Sequence, residues 1–290
     1  MKPGRPSRTA QWVAFARAYA TLDPPEDRIC DDPIAAAYLS APERALLLAS
    51  RLPPVRAAAA RESTRSPFTG SWLYPAVRTA FIDRALLRRV GEGLDQLVLL
   101  GAGFDSRAER FAGDLAGVRI FELDFPATQA RKLAVRPAAQ NVTYLPMDLA
   151  REPFADRLLA AGFDPAKRTV FLWEGVVYFL TREQVGAVLD GLRRLLSPGG
   201  TVLLDYGLAA PRMGVVDQAL LAVSLAVTRL LGEPVQTRFA EDEVAPLFGG
   251  HGFTIADRAE VGELWRRHLR GRYAGTKLIP FWGCLELTAR

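Results

Sequence analysis

The regular alternation of short apolar runs with amphipathic stretches from residue 95 onward constrains this chain more than any other feature. Five apolar runs, each of strand length, are separated by stretches with helical periodicity. Such alternation is typical of βα units built around a parallel sheet. We therefore predict five parallel strands, at residues 95–100, 118–124, 141–147, 168–174 and 201–206.

The end of the chain predicts two further strands, at residues 253–259 and 277–289. A dehydrogenase nucleotide domain has six parallel strands, whereas a methyltransferase domain has seven, with the last inserted antiparallel beside the sixth. The long final strand favours the second plan. The expected fold class is α/β, a Rossmann-like three-layer sandwich with a seven-stranded, mainly parallel sheet and an antiparallel last strand.

Helices are predicted before, between and after these strands. Residues 1–90 read as an N-terminal helical cap, and residues 91–290 as the ligand-binding domain with a lid inserted at about 208–250. Thr181 and Gln184 form a capping box, and Pro126 suits the first turn of a helix. The predicted helices are 9–20, 32–39, 42–50, 72–90, one beginning near Asp105, 126–136, 153–161, 181–196, 211–231 and 240–249.

Composition excludes several classes of protein. The chain has 290 residues, 49% of them hydrophobic, and a formal net charge of +5. It contains no apolar run long enough to span a membrane and no recognisable secretory signal. No basic stripe with interleaved aromatic residues predicts nucleic-acid binding. Cys30 and Cys284 belong to no CxxC pair, so we expect no zinc site and a cytoplasmic location.

The first predicted strand runs into the segment VLLGAGFDSR, residues 98–107. Gly101 permits a tight turn there, and Gly103 lets the backbone approach a ligand without a Cβ in the way. The third glycine of the dinucleotide pattern GxGxxG is replaced by Ser106. Asp105 stands where that pattern would place a pyrophosphate, which its carboxylate would repel. The loop therefore favours S-adenosylmethionine (SAM), which carries a cationic sulfonium, over NAD.

Acidic residues are predicted at the ends of the next three strands. Glu122 lies 21 positions after the first glycine of the loop and can accept hydrogen bonds from both ribose hydroxyls, although Asp124 could compete for this role. Asp148 can accept from an adenine amino group or cap a helix instead, and Leu149 can cover the adenine ring. Glu174 follows the fourth strand among apolar residues, where a buried carboxylate needs a partner. A SAM ammonium or sulfonium would supply that partner.

Four segments carry a family resemblance. They are LVLLGAGFDSRAERF, FELDFPATQARKL, the Asp-Leu pair at 148–149, and FLWEGVVYFLTREQV. Together they resemble the leucine carboxyl methyltransferase family of class I SAM-dependent methyltransferases, most specifically between about residues 72 and 206. The resemblance implies the class I methyltransferase fold, SAM as the cofactor and methyl transfer as the activity. Some members resemble O-methyltransferases from polyketide pathways.

The resemblance also implies roles for individual residues. Arg78 would clamp the SAM carboxylate, as a bidentate guanidinium can. Arg17 would lie near the same carboxylate, and Gly101 would lie against the methionine portion. The predicted cofactor contacts are Arg17, Arg78, Gly101, Ala102, Gly103, Asp105, Glu122, Leu123, Asp148, Leu149 and Glu174.

The methyl acceptor is the part of the site that the sequence leaves open. Residues after 206 do not match the eukaryotic members of the family, which methylate the C-terminal leucine of a protein phosphatase. We therefore expect a small-molecule carboxylate, hydroxyl or phenol as the acceptor, with Tyr178 and Tyr206 as candidate contacts. Neither His251, read as a turn residue, nor His268, read as part of a basic helix face, is assigned as a base, and no metal is expected because SAM is already activated.

Two other functions stay open at this stage. An NAD-dependent oxidoreductase would share the glycine loop but leaves Asp105 and Glu174 unexplained. A SAM-binding module without catalytic activity would share the whole cofactor site. The sequence does not decide between carboxyl and phenolic oxygen, and it does not give the oligomeric state.

Overall fold

The structure is a computed structural model that describes residue 4 and residues 6–65, 71–209, 214–276 and 279–290. Seven strands form one sheet in the order β3-β2-β1-β4-β5-β7-β6. Strands β1 to β5 are parallel, and β7 runs antiparallel between β5 and β6. This confirms the predicted sheet. The strands are β1 (Gln96–Leu100), β2 (Arg119–Asp124), β3 (Val142–Pro146), β4 (Thr169–Trp173), β5 (Thr201–Gly207), β6 (Phe253–Glu260) and β7 (Trp282–Ala289).

Helices precede the sheet and connect its strands. They are α1 (Arg8–Ala20), α2 (Ala41–Ala49), α3 (Pro53–Arg65), α4 (Tyr74–Gly91), α5 (Arg107–Arg110), α6 (Pro126–Val135), α7 (Phe154–Ala160), α8 (Arg182–Leu195), α9 (Val215–Leu230), α10 (Glu241–Gly250) and α11 (Val261–His268). Short 3-10 helices cover Pro33–Tyr38, Val177–Phe179 and Gly271–Tyr273.

Helix α3 is the main difference from the predicted helices. The segment LPP at 52–54 looks like a helix break, but Pro53 and Pro54 lie in the first turn of α3. Proline is tolerated there because the first amide groups of a helix have no partner within the helix. The predicted start of the insertion at 211–213 and of the last strand at 277–278 lies outside the described residues.

The two faces of the sheet are buried in two separate apolar clusters. Alternate residues of β1 point to opposite faces, so Val98 and Leu100 join one cluster while Leu97 and Leu99 join the other. Helices α7, α8 and α10 contribute to the first cluster, and α4 and α11 contribute to the second. The molecule therefore has the expected three layers, with helices on both faces of the sheet.

The strand order reverses between β1 and β4, because β2 and β3 lie on one side of β1 and the later strands on the other. In open parallel sheets this reversal opens a crevice at the carboxyl ends of the strands. The loops after β1, β2, β3 and β4 all meet at that edge. Within the described residues, no helix is both long enough and apolar enough to cross a membrane.

The capping box at the start of α8 gives a test of local stability. Thr181 Oγ1 accepts a hydrogen bond from Gln184 N (3.3 Å), and Gln184 Oε1 accepts one from Thr181 N (2.8 Å). Thr181→Ala should lower the free energy of unfolding by about 1 kcal/mol, because one amide loses its acceptor. Urea denaturation measures this change. Arg194→Ala in the same helix is the control, since it breaks only an exposed ion pair with Asp156 and should change stability by less than about 0.5 kcal/mol.

Candidate active site

A cavity of about 1320 Å³ opens at the carboxyl edge of the sheet. Its wall contains the whole glycine loop together with residues from α1, from the ends of β2, β3 and β4, and from α9. Ten of the predicted site residues line this cavity: Arg17, Arg78, Gly101, Ala102, Gly103, Asp105, Asp148, Leu149, Glu174 and Tyr178. Three others, Glu122, Leu123 and Tyr206, lie away from its wall in the surrounding core.

The glycine loop has the backbone geometry that the sequence predicts. Gly101 and Gly103 have φ values of 72° and 54°, a region that residues with a Cβ rarely adopt. A Cβ on Gly101 would collide with the side chain of Val176, and one on Gly103 would lie 3.3 Å from the Cβ of Ala10 in α1. Helix α1 therefore packs directly over the loop, and only glycine leaves this approach open.

Asp124, rather than Glu122, presents the carboxylate at the end of β2. Glu122 is 2% exposed, and its Oε2 accepts from Lys132 Nζ at 2.5 Å. It lies two residues before the strand end, so α6 covers it. Asp124 lines the cavity and accepts hydrogen bonds from the backbone amides of Gly103 and Phe125. The structure therefore places Asp124 on the cavity wall and Glu122 behind it.

The environment of Asp124 shifts its protonation. Burial raises the pKa of Asp124 to about 6, because desolvation outweighs the two amide hydrogen bonds, and the nearby carboxylate of Glu233 adds to the rise. Desolvation favours the neutral form of any buried carboxyl group. Asp124 is therefore a carboxylate at neutral pH that becomes a neutral acid under mildly acidic conditions.

Glu174 lies at the end of β4 and already has partners from the chain itself. Its Oε1 accepts from Arg78 Nε (2.9 Å) and Thr79 Oγ1 (3.2 Å), and its Oε2 is 2.8 Å from Arg107 Nη2. Burial alone raises the pKa of this carboxyl group, but the guanidinium groups of Arg107, Arg78 and Arg17 outweigh it and lower the pKa to about 2. The sequence predicted that a SAM ammonium or sulfonium would pair with the Glu174 carboxylate. In the structure, arginine side chains already pair with it.

Glu174 belongs to a continuous chain of buried ion pairs behind the cavity. Arg78 Nη1 donates to Asp205 Oδ2 (2.8 Å), and Arg107 Nε donates to Asp83 Oδ1 (2.6 Å). Further pairs join Asp83 to Arg110, Arg107 to Asp105, Arg110 to Asp32 and Arg17 to Asp32. The chain contains four arginines, Arg17, Arg78, Arg107 and Arg110, and five acids, Asp32, Asp83, Asp105, Glu174 and Asp205. It therefore carries one more negative than positive charge.

Two arginines of this chain, Arg17 and Arg78, line the cavity and retain hydrogen-bond donors. Arg78 uses Nε and Nη1 for its partners, and Arg17 uses Nε for Asp32 and Nη2 for the Phe104 carbonyl (2.6 Å). Within the described part of the chain, Arg78 Nη2 and Arg17 Nη1 make no hydrogen bond. These nitrogens can donate to a carboxylate in the cavity.

The loop after β3 forms a second polar and apolar pair on the wall. Asp148 Oδ1 accepts from Ala150 N at 3.0 Å, which forms a local turn. It does not cap a helix, because α7 begins at Phe154 with Pro153 at its N-cap. Its side chain is still about one third exposed and lines the cavity. Leu149, Met147 and Phe125 line the cavity beside it.

A second part of the cavity wall, called the apolar wall below, is apolar and aromatic. Leu221 and Leu225 of α9 pack with Ile279 and Phe281, and Trp282 completes this cluster. Trp282 stacks on Tyr74 with ring centroids 4.4 Å apart. All of these side chains line the cavity. The cavity thus has a charged side at the strand ends and an apolar side formed by α9 and the segment before β7.

The predicted acceptor contacts divide between cavity and core. Tyr178 lines the cavity, and its hydroxyl accepts from Arg78 Nη1 at 3.3 Å. Tyr206 is fully buried and packs against Gly283, where a Cβ would lie 2.7 Å from the ring, so it lies in the core and not on the cavity wall. Neither histidine lines the cavity. His251 lies in the turn after α10, and its Nδ1 is 2.8 Å from Asp190 Oδ1 of α8.

The sequence analysis did not assign a role to Arg107 or Glu233, two charged residues of the cavity wall. Arg107 follows the glycine loop directly, so its position in GFDSR was available as a signal. Glu233 has no sequence signal, because its partners lie more than 220 positions away in α1. Asp124 was named only as a competitor of Glu122.

Comparison with known proteins identifies the family. The model of the leucine carboxyl methyltransferase family matches residues 10–193. A Parafrankia protein named "Putative S-adenosyl-L-methionine-dependent methyltransferase" is 37% identical over 203 residues, which cover 68% of this chain and 62% of that protein. A Streptomyces coelicolor protein of the same description is 32% identical over 274 residues, covering 91% and 86% of the two chains.

The fold has a similar solved structure. The crystal structure of a DUF574 family protein from Streptomyces avermitilis superposes with a TM-score of 0.59 at 12% identity, covering 95% of this chain and 97% of that one. This likeness shows that the two proteins share the same fold over nearly their whole lengths. The protein is therefore a SAM-dependent methyltransferase with SAM as its cofactor. More particularly, the chain belongs to the leucine carboxyl methyltransferase family.

The low pKa of Glu174 predicts a pH-dependent contribution to stability. Because its pKa in the folded protein, about 2, lies below the ordinary value of 4.5, the ionised form stabilises the fold above pH 4.5. This contribution is lost as the pH falls from 4.5 towards 2. Glu174→Gln should therefore lower the free energy of unfolding by about 3 kcal/mol at pH 7, and the difference from wild type should shrink towards pH 3.

Chemical denaturation at several pH values measures this difference. Asp156→Asn is the control, because the Asp156 side chain is 60% exposed and should show no such convergence. A difference between Glu174→Gln and wild type that stays constant from pH 7 to pH 3 would contradict the assignment of the low pKa to Glu174.

Proposed function

We propose that this protein transfers the methyl group of SAM to a carboxylate or phenolic oxygen of an apolar small molecule. The observation that carries the proposal is that one cavity joins the charged strand ends to the apolar wall. Its volume of about 1320 Å³ exceeds the roughly 300–1,000 Å³ of typical small-molecule sites. It can therefore contain a cofactor and an acceptor side by side.

The residues at the strand ends match the chemistry of SAM. Asp124 would accept hydrogen bonds from the ribose hydroxyls, in place of Glu122. Asp148 would accept from the adenine amino group, with Leu149 against the ring. The free donors of Arg17 and Arg78 would bind the methionine carboxylate. The buried ion-pair chain carries one excess negative charge, and SAM carries one net positive charge, so cofactor and site are complementary.

The chain's main contribution to methyl transfer is positioning. The acceptor oxygen must attack the methyl carbon in line with the bond to sulfur, and the protein accelerates this step by fixing that geometry. The glycine loop and Glu174 would place the methionine end beside Tyr178, facing the apolar wall. The aromatic cluster of Phe281, Trp282 and Tyr74 would then orient the acceptor and exclude water.

The two candidate acceptor oxygens, carboxylate and phenolic, differ in whether they need a general base. A carboxylate already carries the charge that attacks the methyl carbon, whereas a phenol must lose its proton. Both histidines lie away from the cavity wall. A carboxylate acceptor, which is already ionised, would need no histidine as a general base. The family description, leucine carboxyl methyltransferase, also refers to a carboxyl oxygen.

The direct test combines ligand binding with turnover. Calorimetric titration should give micromolar binding of SAM and of S-adenosylhomocysteine (SAH), and no binding of NADH. Incubation with methyl-labelled SAM and a panel of apolar carboxylic acids and phenols should then give labelled esters or ethers. Tight SAM binding with no product from any acceptor would favour a non-catalytic SAM-binding module, and label appearing on nitrogen would contradict the proposed oxygen acceptor.

Asp124 provides the sharpest single-residue test of the cofactor site. Asp124→Asn should weaken SAM binding by about 1–3 kcal/mol, because the charge-assisted hydrogen bonds to the ribose are lost. Glu122→Gln is the matched comparison. It should lower stability, since Lys132 loses its ionic partner, but leave SAM affinity within about twofold. The opposite result would return the ribose contact to Glu122.

The pKa of Asp124 adds a pH dependence to the same measurement. Above pH 6 the carboxylate is ionised and can accept both ribose hydroxyls, and below pH 6 it takes up a proton. Wild-type affinity for SAM should therefore fall about tenfold between pH 7.5 and pH 5. The Asp124→Asn variant should show a flatter profile over this range.

A further inference from the structure

The N-terminus of α1 covers the part of the cavity where the glycine loop lies. Residues 7–13 line the cavity, and Ala10 approaches Gly103 closely enough that a Cβ there would lie 3.3 Å away. Arg17, two turns further along α1, donates to the Phe104 carbonyl at 2.6 Å. A ligand lying on the glycine loop and Asp124 would therefore lie beneath α1.

A single distant carboxylate fixes this helix terminus in place. Glu233 follows α9, is 7% exposed and lines the cavity. Its two oxygens accept from the backbone amides of Arg8 and Thr9, each at 3.1 Å, and Oε2 also accepts from the Thr9 hydroxyl. The first amides of a helix lack partners within the helix and carry partial positive charge, so a carboxylate binds them strongly.

The remaining hydrogen bonds of the terminus are made by neutral groups. Ser7 Oγ accepts from Ala10 N at 3.0 Å, and Ser7 N donates to Thr128 Oγ1 of α6 at 3.1 Å. Neither contact involves a charged group. Glu233 therefore supplies the charged interaction that connects α1 with the segment after α9.

This segment also contributes to the acceptor side of the cavity. Val235 packs with the apolar cluster of Leu221, Ile279 and Phe281, and Gln236 N donates to the Tyr178 carbonyl at 2.7 Å. The residues around Glu233 thus contact both the acceptor wall and the helix that covers the cofactor side. A movement of the acceptor wall would be transmitted to α1 through Glu233.

We propose that Glu233 is a positioning residue that holds the N-terminus of α1 over the bound cofactor and sets how fast SAM enters and SAH leaves. It acts through α1 and does not touch the reacting atoms. This inference rests on the proposed function, because it requires the cofactor to occupy the cavity beside the glycine loop.

The rates of SAH exchange test the inference. Protein loaded with labelled SAH is chased with excess unlabelled SAH, and the association rate is measured separately by stopped flow, with intrinsic tryptophan fluorescence as a reporter, since Trp12, Trp72 and Trp282 line the cavity. Glu233→Ala should speed dissociation about ten- to a hundredfold, as expected for the loss of one or two hydrogen bonds to a charged group. Association should also become faster, because α1 opens more often.

Three further variants refine the result. Glu233→Gln keeps an acceptor oxygen without the charge and should have an intermediate effect. Thr9→Val removes the hydroxyl that contacts Glu233 and Ser7 Oγ but keeps the backbone amide. It should speed dissociation about three- to tenfold, which keeps the test available if Glu233→Ala does not fold. Glu241→Ala is the matched control, because Glu241 is an acid in the first turn of α10 that does not line the cavity. Its exchange rates should equal those of wild type.

The possible outcomes separate the inference from the function on which it rests. A merely structural role for Glu233 would weaken SAH affinity without any rise in the association rate, and that result would overturn the inference. Dissociation from Glu233→Ala within twofold of wild type would overturn it as well. Wild-type protein that does not bind SAH at all would instead refute the proposed function, and the inference with it.

Discussion

The ion pairs that converge on Glu174 are the interaction on which the rest of this structure depends. Arg78 reaches Glu174 from α4 and Arg107 reaches it from α5, so one carboxylate at the end of β4 ties both helices to the edge of the sheet. Buried charges are tolerated only when each is paired, and removing one member leaves others uncompensated. The cavity can be polar and still well ordered because its charges form one continuous chain with Asp205 at the end.

The same chain explains how the molecule can have two unlike sides in one cavity. On the charged side, Arg17 and Arg78 are paired with acidic side chains, so only their unpaired N–H groups can bind a ligand. On the other side, Phe281 and Trp282 present apolar surface without any need for charge balance. Helix α1 and Glu233 close the space between them. A cationic cofactor and an apolar acceptor would therefore each meet the surface that suits them.

Local signals in the sequence were sufficient where the contacts are local. The capping box of Thr181, the positive φ of Gly101 and the alternating strands all depend on near neighbours, and each was predictable. Local signals did not decide whether Glu122 or Asp124 lies on the cavity wall, since both are acids and they stand two positions apart. Which of them reaches the edge depends on where β2 ends and on Lys132 of α6.

The sequence by itself determined the sheet, its antiparallel last strand, the glycine loop and the family, because hydrophobic periodicity and short motifs encode them directly. The tertiary structure alone decided which acid faces the cavity, that Glu174 is paired by Arg107, and that Tyr206 belongs to the core. It also decided that Glu233 binds the terminus of α1. These features join residues far apart in the chain, and the energy of such contacts depends on burial and distance, which the order of the residues does not specify.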